Sequence, residues 1–162
     1  MKTSAKSSAT SPGGEQQLRG FIARFTPELQ RLIRSLRRGL RNRFPSANEL
    51  VYDYSRYFVI GYSATEQGID SVLAIAAGTD GLRLYFNDGA RLPDPEKILL
   101  GSGKQTRFIW IGSSGTLKLP EVEALLKSAI VTAKEPFRRE GRGKLIIKSS
   151  LAKRQSKRKP KR

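Results

Sequence analysis

One stretch of the chain carries apolar side chains at the spacing of an amphipathic α-helix. Its apolar positions fall on one helical face, while Thr26 suits the N-cap and Pro27 the first turn. The apolar positions are Leu29, Leu32, Ile33, Leu36 and Leu40. The pattern predicts a helix over about residues 27–42.

Two other segments have helical patterns. Residues 120–133 place apolar side chains on one face and lie between Pro120 and Pro136, so we expect a helix there. Residues 16–25 also repeat apolar side chains at helical spacing. Gly20 weakens that third prediction, because glycine in a helix interior costs about 1 kcal/mol relative to alanine.

The segment between the helices is rich in residues that favour strands. Four strands are expected, at residues 57–62, 71–77, 82–86 and 106–111. Residues 49–54 fit either a strand or a loop, and Asp80-Gly81 is typical of a hairpin turn. Helices, then consecutive strands, then a helix indicate an α+β fold, with an antiparallel sheet of about four strands and helices packed on one face.

The two ends of the chain differ from the middle in composition. Residues 1–14 are rich in Ser, Thr and Lys, so we expect a disordered arm. Residues 138–162 hold 12 Lys and Arg against Glu140 alone, and we expect them to form a flexible basic tail. The folded domain is therefore predicted at residues 15–137. Of the chain's net charge of +17, +11 lies in the predicted tail.

The composition excludes several classes of chemistry. The 162 residues contain neither Cys nor His. Disulfides, thiolate nucleophiles and triads with a histidine base are therefore ruled out, and the commonest ligands of zinc, copper and haem are absent. Asp, Glu, Lys and Tyr remain for acid–base work, but no constellation of them is visible. We predict a protein that is not an enzyme and has no catalytic residues, cofactor or metal.

The chain has no recognisable membrane or secretion segment. No run approaches the roughly 18 apolar residues that a spanning helix needs. The N-terminal segment is polar and lacks the apolar region of a secretory signal. We therefore expect no membrane span and a cytoplasmic location.

Four stretches of sequence resemble one known family. They are residues 49–54, 60–66, 86–95 (FNDGARLPDP) and 99–107 (LLGSGKQTR). Through them, residues 48–133 are similar to the bacterial YdhG-like domain-of-unknown-function family. The resemblance implies a small α+β domain of frataxin-like architecture, without established catalytic residues. For one branch of the family it also implies a role as an intracellular iron chaperone.

Two features of the chain differ from that iron-binding branch. The family often has Arg-His at the start of its last strand, whereas this chain has Arg107-Phe108. Iron-handling frataxins present an acidic helix ridge, whereas the helix predicted at residues 27–42 is rich in arginine and carries Glu28 nearly alone. Both differences count against iron as the ligand.

Polar and aromatic residues near the predicted strands are candidates for a pocket in the domain. They are Tyr52, Tyr62, Arg83, Asp94, Lys104 and Arg107. Together with Tyr54, Tyr57 and Tyr85, the tyrosines can line a pocket or stack on bases. Half-buried tyrosines of a sheet more often pack in or beside a core.

Three further features have ordinary structural explanations. Residues 101–106 (GSGKQT) look like a phosphate-binding loop, but they lack its glycine spacing and have Gln105 after Lys104. We interpret them as a glycine turn before a strand. Asp94 lies between two prolines and is expected to cap a turn rather than bind a cation. Trp110, in the last of the four strands, is expected to lie in the core.

The helix predicted at residues 27–42 carries a stripe of one charge opposite its apolar face. Its members are Arg31, Arg34, Arg37, Arg38 and Arg41. Like charges four residues apart destabilise a helix slightly. A stripe of one sign therefore indicates either a polyanion partner or a role in solubility.

The predicted tail is the strongest functional signal in the sequence. Its last block contains Lys153, Arg154, Lys157, Arg158, Lys159, Lys161 and Arg162. Flexible cations bind nucleic acid by releasing counterions, without reading sequence. A membrane-surface anchor and a simple solubility role are the alternatives, although no amphipathic apolar segment adjoins the block.

The sequence therefore predicts a domain of unknown activity whose tail gives non-specific affinity for DNA, RNA or another polyanion. The alternative is a small-ligand or iron carrier of the YdhG-like type, which would act through residues 18–137.

Overall fold

Three α-helices and six β-strands make up residues 12–149, the part of the chain that the structure, a computed structural model, describes. The helices are α1 (Gly14–Ile22), α2 (Pro27–Arg43) and α3 (Pro120–Val131). The strands are β1 (Asn48–Asp53), β2 (Phe58–Ser63), β3 (Ser71–Gly78), β4 (Gly81–Phe86), β5 (Arg107–Trp110) and β6 (Leu145–Ser149). None of the helices described here is both long enough and apolar enough to span a membrane.

The three predicted helices are confirmed, and α2 begins where its sequence indicated. The hydroxyl of Thr26 accepts a hydrogen bond of 3.2 Å from the backbone N–H of Leu29, as an N-cap does. Pro27 occupies the first turn, where a missing N–H costs nothing. The helix buries Ile33, Leu36 and Leu40, which belong to the stripe read from the sequence.

The sheet has six strands in the order β5-β4-β3-β2-β1-β6, so the prediction of about four strands was too low. Strands β1 to β5 pair antiparallel with their neighbours, but β6 pairs parallel with β1. The sheet is therefore mixed, and the prediction of a purely antiparallel sheet was wrong. The sequence left β1 undecided because nearly all of its side chains are buried, so it lacks the alternation of a half-exposed strand.

Strand β6 lies within the segment that we expected to form a basic tail. The side chains of Leu145 and Ile147 are buried, with lysines on either side of them in sequence. Glycine at position 143 lets the backbone pass close to Ala47 just before β6. A Cβ at this position would lie 1.7 Å from the carbonyl oxygen of Ala47. Residues 150–162 of the predicted tail and residues 1–11 of the predicted arm lie outside the described residues, and Gly14 already belongs to α1.

The helices cover one face of the sheet, and the other face is uncovered along its middle strands, β2 to β4. Strand residues such as Ile60, Ile75 and Leu84 point to the covered face and form one core with the apolar sides of the helices. Their neighbours in sequence, such as Gly61 and Ala74, point to the opposite face. The core therefore lies between the helices and one face of the sheet, and these small residues line the other face.

A buried ion-pair network joins the helices to the covered face. The guanidinium of Arg37 donates hydrogen bonds of 2.9 and 2.8 Å to Glu49 on β1, and of 3.0 and 2.8 Å to Glu15 on α1. The hydroxyl of Tyr62 donates a further bond of 2.8 Å to Glu49. The side chain of Glu49 is only 5% exposed, so Arg37 compensates a charge that water cannot reach.

Because β6 pairs with β1, truncating the chain before or after β6 tests how much this strand contributes to the stability of the fold. We expect a chain ending at Ser149 to keep the stability of the full chain, because it retains every described strand. A chain ending at Phe137 loses the burial of Leu145 and Ile147 and should be less stable by about 3–6 kcal/mol. Urea unfolding followed by circular dichroism measures both. Equal stability of the two truncated chains would show that β6 contributes nothing to the fold.

The network predicts different costs for two arginines on the same helix. Replacing Arg37 with Ala leaves the buried Glu49 carboxylate unpaired and should cost about 3–5 kcal/mol. Arg41 is the matched control, because it is 47% exposed and approaches Glu15 and Glu49 no closer than 3.8 Å. Its replacement should cost less than about 1 kcal/mol. Similar free energies of unfolding for the two variants would contradict a dominant role for Arg37.

Candidate functional site

The uncovered face of the sheet forms a groove of about 980 Å³. Its floor consists of small side chains on the two central strands, Val59 and Gly61 of β2 and Ala74 and Ala76 of β3. Larger side chains on the neighbouring strands rise on both sides of this floor. The groove exists because these four floor residues are small and because no helix packs on them.

The strand register determines which side chains form the walls of the groove. Tyr52, Val59, Ala76 and Arg83 lie opposite one another across β1 to β4, and Trp110 on β5 ends the row. Tyr52 therefore stands on one wall and Arg83 on the other, with two small residues between them. Burial raises the pKa of Tyr52 above its ordinary value.

The Arg83 wall is fixed by several contacts. Its guanidinium lies over the ring of Trp110, 4.7 Å from the centroid, and 5.3 Å from that of Phe108. It donates a hydrogen bond of 2.9 Å to the hydroxyl of Tyr85 and forms an ion pair with Asp80. These partners hold the planar group in one orientation, as stacked arginines in binding sites require.

The wall on the β1 side is aromatic. Tyr54 and Tyr57 flank the turn between β1 and β2, and their rings stack with centroids 4.8 Å apart and an angle of 22° between the planes. Both are more than 40% exposed, which is unusual for large rings in a folded domain. With Tyr52 they give this side of the groove three tyrosine rings.

The groove contains one buried polar group without a partner. The hydroxyl of Ser71 makes no hydrogen bond with any described residue, although Ser71 is only 8% exposed. The register of β2 with β3 shifts between Tyr62 and Ser63, and Ser71 lies opposite that shift. Its hydroxyl lies directly over Gly61, where a Cβ would come within 2.6 Å of it. Glycine at position 61 therefore provides the space that the hydroxyl occupies.

Two of the six predicted pocket residues, Tyr52 and Arg83, line this groove. Tyr62 lies on the opposite, covered face because strand alternation directs it to the core, where it meets Glu49. Burial and the neighbouring carboxylate raise its pKa well above the ordinary value. The structure therefore divides the predicted tyrosines between the two faces.

The other three predicted pocket residues lie in the loop before β5 or at its start. Asp94 accepts hydrogen bonds of 3.0 and 2.9 Å from the backbone N–H groups of Ile98 and Leu99, so it caps a turn, as the flanking prolines indicated. Lys104 is exposed, and Arg107 donates to nearby backbone carbonyls. None of the three lines the groove.

Sequence reasoning missed the floor of the groove and misplaced one wall residue. Trp110 was expected in the core, but it is 44% exposed and stacks on Arg83. Ala74 and Ala76 alternate with larger residues along β3, and that alternation was the only available signal for a shallow floor. Nothing in the sequence indicated which face Ser71 would take, because that depends on the register shift.

A second candidate surface lies on the helical side. A cavity of about 360 Å³ between α1 and α2 is lined by six arginines that come from three separate segments. They are Arg19 of α1, Arg34, Arg37, Arg38 and Arg41 of α2, and Arg142 of the loop before β6. We call these six residues the arginine cluster. Among residues 12–149, Glu15 is the only acidic residue that lines the cavity.

The members of the arginine cluster differ in how far they are neutralised. Arg37 is fully engaged by two carboxylates, and these hydrogen bonds outweigh the cost of burial and raise its pKa. Within residues 12–149, Arg19, Arg38 and Arg142 make no ion pair. Of the predicted stripe, only Arg31 lies outside the cavity, beside a different depression of the surface. The tail residues predicted to bind polyanions lie outside the described residues.

The described residues offer little for other chemistry. Among residues 12–149, no three Asp, Glu, His or Cys side chains are grouped so that they can hold a metal ion. The groove offers flat rings and, at Ser71, one buried hydroxyl without a partner among the described residues, and the arginine cluster offers guanidinium groups. The first suits a planar ligand and the second an anion. A comparison with protein-family models, with curated proteins and with solved structures finds no match to this chain.

Glu15 gives the arginine cluster a pH dependence that can be measured. The hydrogen bond from Arg37 lowers the pKa of Glu15 below its ordinary value. A lowered pKa means that the charged group stabilises the fold above about pH 4.3 and that this contribution is lost as the pH falls further. We therefore expect the full chain to be more stable than Glu15→Gln at pH 7, and the difference to shrink towards pH 3. Urea unfolding at several pH values tests this, and a constant difference would contradict it.

Proposed function

We propose that this protein is a non-catalytic domain that binds nucleic acid or another polyanion. The observation that carries the proposal is the arginine cluster, in which six guanidinium groups from three segments converge on one cavity with a single acidic residue. Guanidinium groups bind phosphate oxygens through paired hydrogen bonds. Bringing so many like charges together costs free energy in the free protein, and a bound anion relieves that cost.

The shape of the surface favours an extended anion over a single small one. Arg34, Arg38 and Arg41 follow one side of α2, and Arg31 continues the line towards the start of the helix. From Arg31 to Arg41 the helix rises about 15 Å, which is enough to meet several successive phosphates of a strand. No base-reading group is needed for such contacts, so the binding would be largely independent of sequence.

The composition of residues 150–162 supports the same function. They contain seven Lys and Arg and no acidic residue, and they follow β6 directly. Cations on this segment would add to the electrostatic attraction of the arginine cluster by releasing further counterions. On this proposal the cluster gives an ordered contact and the terminal segment increases affinity.

A carrier of small ligands is the second candidate, and the groove on the uncovered face is the observation that favours it. A volume of about 980 Å³ is in the range of sites for small molecules. The resemblance of residues 48–133 to the YdhG-like family agrees with a carrier, and membership of that family remains a proposal. Iron is the less favoured ligand, because hard cations need several oxygen ligands and the groove offers one carboxylate, that of Asp80.

Salt-dependent binding tests the polyanion proposal. The double variant Arg34→Gln/Arg38→Gln should bind a single-stranded oligonucleotide about tenfold more weakly than the full chain at 50 mM salt. The slope of log affinity against log salt should fall by about 1.4, because two phosphate contacts are lost. Fluorescence anisotropy at four salt concentrations measures both quantities. Truncation after Ser149 should lower the slope further.

The matched control is Arg91→Gln/Lys127→Gln, which removes the same charge from exposed positions outside the cluster. It should change the slope by much less than the cluster variant. Equal slopes for the two double variants would mean that total charge, and not the arginine cluster, governs binding. Absence of salt-dependent binding by the full chain would reject the function itself.

A further inference from the structure

We propose that the groove on the uncovered face binds one planar heteroaromatic ring of the nucleobase type, and that the hydroxyl of Ser71 hydrogen-bonds its polar edge. This inference deepens the second candidate function by naming the class of ligand. It does not depend on the arginine cluster, which lies on the other side of the sheet. The floor of the groove, its walls and the hydroxyl of Ser71 each favour such a ring.

The floor fits a flat occupant. Neighbouring strands are about 4.8 Å apart, so the walls on β1 and β4 are separated by roughly 14 Å at the backbone. The side chains between them, among them Gly61, Ala74 and Ala76, are too short to fill that space. A ring laid on the floor would contact them with its face, whereas a bulky occupant would have to rise out of the groove.

The walls offer stacking partners in fixed positions. Tyr52, Tyr54 and Tyr57 stand on one side, and the guanidinium of Arg83 stands on the other. Aromatic rings and arginine planes are the groups on which unpaired bases stack in proteins that bind single strands. Arg83 is already held by Tyr85 and Asp80, so little freedom is lost when a ring stacks against it.

Ser71 selects the chemistry of the ring. Its hydroxyl lies at one end of the floor, over Gly61, with no protein partner among the described residues. A hydroxyl offers one donor and accepts as well, so it can pair with a carbonyl, a ring nitrogen or an amino group. An apolar ring would leave it buried and unpaired, whereas a nucleobase has such groups along its edge.

Uncharged nucleosides are the direct probe, because they carry no phosphate and therefore do not depend on the arginine cluster. We would titrate the full ¹⁵N-labelled chain with adenosine, guanosine, cytidine and uridine and follow the amide signals by NMR. The expected result is saturable shifts at Gly61, Ser71, Ala74 and Ala76, with different affinities for the four nucleosides. A short single-stranded oligonucleotide is titrated in parallel, because the same ring can arrive free or within a strand.

Two variants and one control locate the site. Ala76→Leu fills the floor and should weaken binding at least tenfold, whereas Ala90→Leu adds the same bulk at an exposed position outside the groove and should have no effect. Ser71→Ala removes only the hydroxyl and should reduce the preference among the four bases by about two- to tenfold. Because that hydroxyl has no partner within residues 12–149, the thermal midpoint of Ser71→Ala should be unchanged or higher.

Each result of these titrations either supports or contradicts the proposal. Shifts with nucleosides, or with the oligonucleotide alone, support the proposal if Ala76→Leu removes them, and they distinguish a free ligand from a base in a strand. No shift in the groove with either probe, or binding that Ala76→Leu leaves intact, overturns it. Base preferences that survive Ser71→Ala overturn the role of Ser71. Failure of the polyanion proposal would appear instead in the salt slope of the arginine variants.

Discussion

The pairing of Arg37 with Glu49 and Glu15 is the contact on which the arrangement of the two layers depends. A carboxylate on the covered side of β1 is tolerable only if a cation reaches it, and Arg37 is the cation that does so at hydrogen-bond distance. By bonding to Glu15 as well, the same guanidinium fixes α1 beside α2. Together with the Arg24–Asp53 pair and the apolar core, this guanidinium holds both N-terminal helices on the sheet, beside the cavity where the other arginines meet.

The same placement leaves two surfaces of opposite character. All three helices of residues 12–149 lie on one side, where the outward arginines of α1 and α2 give a positive surface, while the other side keeps its exposed rings. A strand of nucleic acid has both phosphates and bases, but these two surfaces face away from each other. If both proposals hold, a polyanion and a small ring bind on opposite sides of the sheet and do not compete.

The helices and the four strands β2 to β5 could be predicted because each follows a single rule, such as the 3.6-residue period of α2 or the β-rich runs of these strands. Strands β1 and β6 were harder because burial on both sides removes the alternation of β1, and because lysines surround β6 in sequence. Of the predicted pocket residues, Tyr52 and Arg83, which are chemically distinctive, line the groove. The floor was not predicted, because its useful property is an absence of side chain, and neither was Ser71, whose direction depends on a local register shift.

The parallel pairing of β6 with β1 has a consequence for how the protein folds. Glu49 and Leu145 are partners, yet about 100 residues separate them along the chain. Every other neighbouring pair in the sheet joins strands that are consecutive in sequence. During synthesis, β1 to β5 can assemble in order, while the outer edge of β1 stays open until β6 has left the ribosome. Closing a loop of that length slows folding and exposes a strand edge meanwhile, so β6 also protects β1.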